Sequence, residues 1–347
     1  MAIDRVISSK ERNEQEENFN LSLRPKTLSE CIGQENIREK LNIAIKAAQQ
    51  RGEPLEHILL YGPPGLGKTT LAHIIANEMG ANIRCSSGPA LVKQGDVMGL
   101  LTNIGSGDIL FIDEIHRLST PVEEFLYPAM EDFKVDFTVD SGIHAKTINF
   151  PLKRFTLIGA TTRAGLLSAP LRSRFGMLYH FEFYNTSELK DIIKRSAGLL
   201  NLDFDNGTLE LIAGRSRGTP RIANRLLKRI RDYAQVKGSG KLTNQIVENA
   251  LKMERVDSLG LDELDRSLLK ALVQVYNGGP AGIEALAATL GEERDTLEDV
   301  VEPYLLQIGF VRRTKRGREI TQKACGHLGI KIKASQKETG QPDLFEE

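Results

Sequence analysis

The chain has 347 residues, 40% of them hydrophobic and 27% charged, a composition that excludes disorder throughout and, at roughly 100 to 200 residues per domain, leaves room for two or three domains. Lys plus Arg and Asp plus Glu each total 46, so an affinity for nucleic acid or membrane must reside in a local patch rather than in the overall field. Cys31, Cys85 and Cys325 are scattered and form no CxxC pair, which argues against a disulfide framework or zinc knuckle and predicts a reducing, cytoplasmic setting.

The first 20 residues read as an extension, with charged ERNEQEEN from Glu11 to Asn18 where a signal peptide needs an apolar core. No window approaches the run of about 18 apolar residues that a membrane span requires, and the six histidines lack metal-ligand spacing. From Asn36 to Gln50 the positions Ile37, Leu41, Ala44, Ile45 and Ala48 recur at helical spacing until Arg51-Gly-Glu-Pro54 breaks the run. Four short apolar runs follow: His57 to Tyr61, Asn82 to Cys85, Asp108 to Ile112 and Phe155 to Gly159. The segments between them are long enough for helices, which predicts crossover units and an α/β domain with a parallel sheet over residues 21–184.

Within that domain Lys134 to Val139 and Ala145 to Phe150 alternate around a turn at Asp140-Ser-Gly142, predicting a β-hairpin insertion near residues 133–150, or else a pair of edge strands. Residues 185–256 carry helical periodicity at Leu189/Ile192/Ile193, Leu209/Ile212/Ala213 and Ile222/Leu226/Leu227/Ile230, predicting a small all-helical domain. Residues 257–334 start with a helix from about Leu264 to Tyr276, break at Gly278-Gly-Pro280, continue with two short helices and close on a hairpin from Phe310 to Ile320. That order predicts a winged helix. Residues 310–333 hold eight Lys or Arg against one acid, Glu319, so a wing gripping phosphate competes here with an ordinary basic loop. Residues 335–347 lack periodicity and read as a tail.

The chemistry is densest at Gly62-Pro-Pro-Gly65-Leu-Gly67-Lys68-Thr69, a GxxxxGK[ST] phosphate loop between an apolar run and an amphipathic segment. Glycines at 62, 65 and 67 let backbone N–H groups close on phosphate, Lys68 reaches the β- and γ-phosphates, and the Thr69 hydroxyl goes to Mg²⁺. Ile109 to Ile112 delivers Asp113 to the metal shell and Glu114 to the attacking water. Ile158-Gly-Ala-Thr161-Thr162 ends a run on small hydroxyls suited to sensing a γ-phosphate, and Arg174 follows in Leu171-Arg-Ser-Arg-Phe175. That arginine is either a solvated helix end or the group a ring ATPase presents to its neighbour's nucleotide. Gly218-Thr-Pro220-Arg221 offers another cation from the helical domain.

This order of motifs resembles the AAA+ ATPases and, within them, the RuvB family of Holliday-junction branch-migration motors. The likeness rests on Arg24-Pro25-Lys26, Ile32-Gly-Gln34, GPPGLGKTTLA, DEIHRLS, LYPAMEDF, LIGATTRAGLLSAPLRSRFG, SRGTPRIANRLL and EDVVEPYLLQIGF. Together they span about residues 20 to 325, and LYPAMEDF and EPYLLQ are not general ATPase motifs. The resemblance implies an ATP- and Mg²⁺-dependent homo-oligomeric ring, hexameric on DNA, that moves four-way junctions during recombination and repair. It implies Leu23, Arg24 and Tyr184 around the adenosine; Gly62, Gly65, Gly67, Lys68, Thr69 and Thr70 around the phosphates; and Arg221 as a second sensor. Asp113, Glu114, Thr162 and Arg174 would be catalytic, with Thr69 and Asp113 at the metal. Arg294, Arg313 and Arg318 would contact DNA without sequence choice. The hairpin would dock on RuvA, and RuvC is a further candidate partner.

Three positions depart from the family pattern: Cys31 replaces an aromatic before Ile32-Gly-Gln34, Gly142-Ile143 replaces Gly-Pro at the hairpin tip, and Lys315 replaces a proline in the wing. Gln341-Pro-Asp-Leu344-Phe345 resembles peptides that enter the bacterial sliding clamp, set against a chance Leu-Phe pair in a tail. The competing functions are an AAA+ protein remodeller, which would show a protein-substrate domain or aromatic pore loop, and an ATP-switched winged-helix regulator, which would prefer one DNA sequence.

Overall fold

The computed structural model describes residues 22–139 and 146–330. The hairpin tip, Lys331, Lys333 and the Gln341 to Phe345 segment lie outside them. Two compact units divide at Gly260/Leu261.

In the first unit, β1 (Ile58–Tyr61), β2 (Ile83–Ser87), β3 (Ile109–Asp113), β6 (Thr156–Thr161) and β7 (Met177–His180) form one sheet in the order β2-β3-β6-β1-β7, with every pairing parallel. β1 and β6 are buried on both faces, as crossover helices dictate. These helices include α1 (Glu35–Arg51), α2 (Lys68–Met79), α3 (Gln94–Thr102), α4 (Thr120–Glu131) and α5 (Ala169–Ser173). α1 ends where Gly52 takes φ +67°, a left-handed stop that glycine accepts without steric cost. One core layer joins α1 and α2 to one face of the sheet through Leu41, Ile45, Ile74 and Ile75. The other joins Val122, Leu126 and Phe155 to the opposite face.

The sequence reading missed β7. Its apolar run is only Met177 to Tyr179, and of its four residues only Tyr179 is buried while Leu178 stands exposed.

β4 (Lys134–Val139) and β5 (Lys146–Pro151) pair antiparallel as a separate two-stranded sheet, with Val135 opposite Phe150. They are therefore a projecting hairpin and not edge strands of the main sheet. Val135 roots it in the core while Ile148 and Phe150 stand exposed.

Helices α6 (Thr186–Leu199), α7 (Thr208–Gly214), α8 (Pro220–Lys237) and α9 (Asn244–Met253) pack around Leu189, Ile212, Leu226, Leu227 and Ile230. Asn185 and Glu188 form a reciprocal capping box at the start of α6, satisfying orphan N–H groups at the domain's entry.

The second unit holds α10 (Glu263–Gln274), α11 (Ile283–Leu290), and a continuous run of α12 (Arg294–Thr296), a π segment (Leu297–Val301) and α13 (Glu302–Gln307). The wing strands β8 (Val311–Thr314) and β9 (Gly317–Ile320) pair antiparallel. A further helix not expected from the sequence, α14 (Gln322–Leu328), starts at Thr321, whose side chain accepts from the Ala324 N–H. At φ +142° Gly317 lies so close to Ala281 that a Cβ would come within 2.3 Å of its carbonyl oxygen, so glycine alone lets β9 close on the Ala281 backbone. The fold is an α/β P-loop domain with a helical lid and a winged helix. Among the described residues no helix is long and apolar enough to cross a membrane.

Candidate nucleotide site and basic wing

The parallel register brings the phosphate loop, the acid pair and the hydroxyl pair to one edge of the sheet. β6 lies between β1, which feeds Gly62, and β3, which ends at Asp113. Strand ends flanking a crossover are where such sheets place ligands. The three loop glycines all take positive φ: Gly62 +139°, Gly65 +77° and Gly67 +102°. A Cβ on Gly62 would come within 2.5 Å of the Phe181 carbonyl oxygen, and one on Gly65 within 2.8 Å of Thr219. The loop is thus shaped by close backbone approach, which is what a phosphate cradle needs.

Lys68 is buried, and its Nζ donates to the carbonyls of Gly62 at 2.8 Å and Pro63 at 2.7 Å. Burial pushes its pKa down to about 8; Asp113 opposes that shift and Arg221 adds to it. Thr69 and Thr70 follow in the first turn of α2, both half-buried.

Asp113 accepts from the Glu114 N–H at 2.9 Å. Glu114 sits in the left-handed region at φ +47°, uncommon for a residue with a long side chain and frequent at functional sites. Its carboxylate is half-exposed and meets Arg117 at 3.2 Å. The two hydroxyls at the end of β6 differ. Thr161 is buried, with Oγ1 bonded to His116 Nδ1 and to the Arg163 N–H, both at 2.9 Å. Thr162, just past the strand end, is half-buried.

The lid rests on the same loop. The Arg221 N–H donates to the Gly65 carbonyl at 3.4 Å, and the Tyr184 hydroxyl donates to the Leu66 carbonyl at 3.2 Å. Gly218, at φ +65°, packs so closely on Phe183 that a Cβ would approach within 2.8 Å. Gly33 likewise lies under the Tyr184 ring, leaving a Cβ only 2.7 Å from it. Burial pushes the Tyr184 hydroxyl well above its ordinary range, so it stays a neutral donor. Leu23 is buried and its carbonyl accepts from Arg195 of α6 at 2.6 Å, tying the entering chain to the lid. Arg24 lies near His73 and Cys85, where burial and then the Arg24 charge hold the His73 imidazole below its ordinary pKa. Cys31 packs half-buried against the first core layer, and burial raises its thiol to about 11, so it is an inert packing group.

Arg174, at the end of α5, touches none of these groups. Its Nη1 donates to the Pro170 carbonyl at 2.7 Å, Nη2 meets Glu131 at 3.1 Å, and the guanidinium lies 4.3 Å from the Tyr127 ring centroid. The Tyr127 hydroxyl in turn bonds Ser168 Oγ, the N-cap of α5, at 3.2 Å. Tyr127 and Glu131 both lie in the LYPAMEDF stretch. The sequence marked that stretch as unusual, but its contact with Arg174 crosses more than forty residues of chain.

In the second unit Arg294, Arg313 and Arg318 converge on carboxylates. Arg313 forks onto Glu302 at 2.8 and 2.6 Å, and Arg318 onto the same carboxylate at 2.8 and 3.1 Å. Glu298 meets Arg318 at 3.2 Å and Arg294 at 3.2 Å, and Glu284 meets Arg294 at 2.8 Å. The basic count over residues 310–333 therefore overstates the local field, because its counter-charges at 284, 298 and 302 lie outside that window. Lys315 and Arg316, at the turn, are exposed.

Comparison with known proteins agrees with this geometry. The RuvB P-loop domain of Holliday-junction DNA helicases matches residues 23–181, the RuvB AAA lid domain residues 184–257, and the RuvB C-terminal winged-helix domain residues 258–329. The chain is 58% identical over 315 residues to a Holliday junction branch migration complex subunit RuvB of Kosmotoga olearia, covering 91% of this chain and 92% of that one. It is 55% identical over 330 residues to the protein of the same description from Pediococcus pentosaceus, covering 95% and 98%. The solved structure of the Thermotoga maritima RuvB Holliday junction branch migration motor superposes with a TM-score of 0.83 at 54% identity, covering 90% of this chain and 99% of that one. Matched in sequence along all three domains and in fold over nine-tenths of its length, the chain belongs to the RuvB family.

Proposed function

We propose that this chain is an ATP-hydrolysing motor that translocates duplex DNA and so drives branch migration of Holliday junctions, working as a ring in which each site is completed by Arg174 of the neighbouring subunit. The division into an ATPase domain (21–184), a lid (185–256) and a DNA-binding winged helix (257–334) is part of this reading. The carrying observation is the seating of the lid on the phosphate loop, through Arg221 on Gly65 and Tyr184 on Leu66. A change in nucleotide state at the loop acts directly on a second domain, as a motor requires.

The residues present fit ATP and Mg²⁺. The Gly62, Gly65 and Gly67 backbone and Lys68 would hold the phosphates, and Thr69 and Asp113 would hold the metal. Mg²⁺ supplies neutralisation of the charge that builds on the transferring phosphoryl group. Glu114 takes the proton of the attacking water, Thr162 orients that water or the γ-phosphate, and Arg221 reports the phosphate to the lid. Leu23, Arg24 and Tyr184 line the adenosine.

Arg174 bonds Pro170 and Glu131, stacks on Tyr127, and has no contact with the loop, Asp113 or Glu114 in its own chain. That isolation supports its action on another subunit. The exposed Ile148 and Phe150 on the hairpin supply an apolar face for RuvA; RuvC remains a candidate partner of the assembled complex. A peptide spanning Gln341 to Phe345, titrated into the sliding clamp beside a Leu344→Ala/Phe345→Ala control, separates a clamp peptide from a chance Leu-Phe pair.

The direct test is ATP-dependent dissociation of a synthetic four-way junction, with and without RuvA. Junction dissociation that requires hydrolysis and is stimulated by RuvA is the expected result. ATP turnover that is stimulated by a protein substrate, or by one DNA sequence alone, would instead identify a remodeller or a regulator.

A further inference from the structure

Glu302 is an unusual residue to find beneath a DNA-binding surface. It is 2% exposed, carries a negative charge, and accepts four hydrogen bonds, two from each of Arg313 and Arg318. Burial alone would raise its pKa, but the bonds from the two arginines overrule that and hold the carboxylate below its ordinary value. Removing a charge from water is costly unless paired with good geometry, and here both arginines answer with bidentate forks. Each fork uses Nε and Nη2, so Nη1 of each arginine has no hydrogen-bond partner among the described residues. Glu298 extends the lattice by bridging Arg318 to Arg294.

Three arginines thus face three carboxylates, Glu284, Glu298 and Glu302, and the group as a whole adds little net field. The attraction for a polyanion comes from the exposed Lys315 and Arg316 at the turn. What the arginine group supplies is direction, since a guanidinium locked at two nitrogens has its remaining N–H groups fixed in space.

We propose that Glu302, supported by Glu298, is a positioning residue that locks Arg313 and Arg318 so that their Nη1 groups present a preformed seat for backbone phosphate of duplex DNA. This rests on the reading of the wing as the DNA contact. It inverts the naive electrostatic expectation: taking a negative charge away from Glu302 weakens DNA binding instead of strengthening it.

The test compares full-length variants by fluorescence anisotropy of a labelled duplex of arbitrary sequence, with Mg²⁺ and a non-hydrolysable ATP analogue, across a salt series. Glu319→Gln is the charge control. It removes the same unit charge from the wing, where Glu319 pairs with Arg312, and leaves the Arg313 and Arg318 forks intact. The expected result is weakening by roughly tenfold for Glu302→Gln, in line with what the loss of an outer partner costs a ligand-holding group, and equal or tighter binding for Glu319→Gln. The log-log salt slope for Glu302→Gln should shrink by about one contact, roughly 0.9. In an Arg313→Ala/Arg318→Ala background, Glu302→Gln should produce no further weakening, which a merely structural role would not predict.

Should thermal melting show Glu302→Gln to be unfolded, Glu298→Gln carries the test, with the same sign and a smaller effect. Two contrary outcomes are distinct. If the double arginine variant binds DNA with parental affinity and slope, the wing is not the DNA contact and the proposal falls with that reading. If the arginine variant is weakened but the Glu302→Gln and Glu298→Gln proteins bind as tightly as Glu319→Gln, the wing holds DNA by field alone and only the positioning role is overturned.

Discussion

The phosphate loop and the wing hold their cations in opposite ways. Lys68 is buried against backbone carbonyls within six residues of its own position. Arg313 and Arg318 are fixed by a carboxylate 11 and 16 residues away. The first arrangement keeps a charge available at a destabilising site, so an incoming polyphosphate gains most of its interaction as charge pairing. The second neutralises the charge in advance and keeps only its geometry. Contacts to the loop should therefore be read out in nucleotide affinity and pH, and contacts to the wing in salt dependence and orientation.

The largest effects belong to the loop side. Glu114→Gln should bind ATP normally and lose turnover, whereas Lys68→Ala should lose ATP binding as well, because one removes water activation and the other removes phosphate charge pairing. Equilibrium binding of a fluorescent ATP analogue beside a phosphate-release assay separates the two. Parental turnover by Glu114→Gln would move the carboxylate role elsewhere. Arg174→Ala should slow turnover by about 10³ to 10⁵, as for other arginine fingers, with ATP affinity retained. Tyr127→Leu, which removes the ring beneath that guanidinium, should slow turnover by roughly 2- to 30-fold, the range that about 0.5 to 2 kcal/mol for a cation–π contact corresponds to, again without changing ATP affinity. A matching loss of affinity would place Tyr127 in the nucleotide pocket instead.

How much of this was legible in the sequence follows from the same contrast. The loop, the acid pair and the hydroxyl pair are contiguous motifs at strand ends, and their strands are buried on both faces and so read as unbroken apolar runs. β7 offers only the three-residue apolar run Met177 to Tyr179, and α14, with seven residues, too little periodicity. The partners of the arginines were harder still. Glu131 and Tyr127 stand in a stretch whose oddity was visible, yet nothing local ties them to Arg174. Glu298 and Glu302 sit in the equally odd EDVVEPYLLQ run, outside the basic window, so a charge count found the arginines and missed their counter-ions. Pairings that close only through tertiary structure leave no spacing to read.

A smaller effect sharpens the contrast through pH. With Lys68 at about 8 in the free site and raised by bound phosphates, ATP binding takes up a proton where the free lysine is neutral. Affinity should then decline as pH rises above about 8. Calorimetry near pH 9 in buffers of different ionisation heat should show proton uptake approaching one per site; zero uptake would mean the lysine is already charged. The smallest effect is on the wing. Because the Glu302 pKa is lowered on folding, its contribution to stability is complete above the ordinary glutamate value of about 4.3 and is lost as pH falls through the folded value. Acid melting curves of Glu302→Gln should be correspondingly flatter than the parent's, and parallel curves would contradict that linkage.

Mixing two defective subunits asks whether the sites of this motor are shared between neighbours. Arg174→Ala and Glu114→Gln subunits should each be inactive alone. In mixed rings, a site on an Arg174→Ala subunit keeps its own Glu114 and receives Arg174 from a Glu114→Gln neighbour. ATP turnover should recover on mixing, and no recovery in assemblies demonstrated to contain both chains would rule out shared sites.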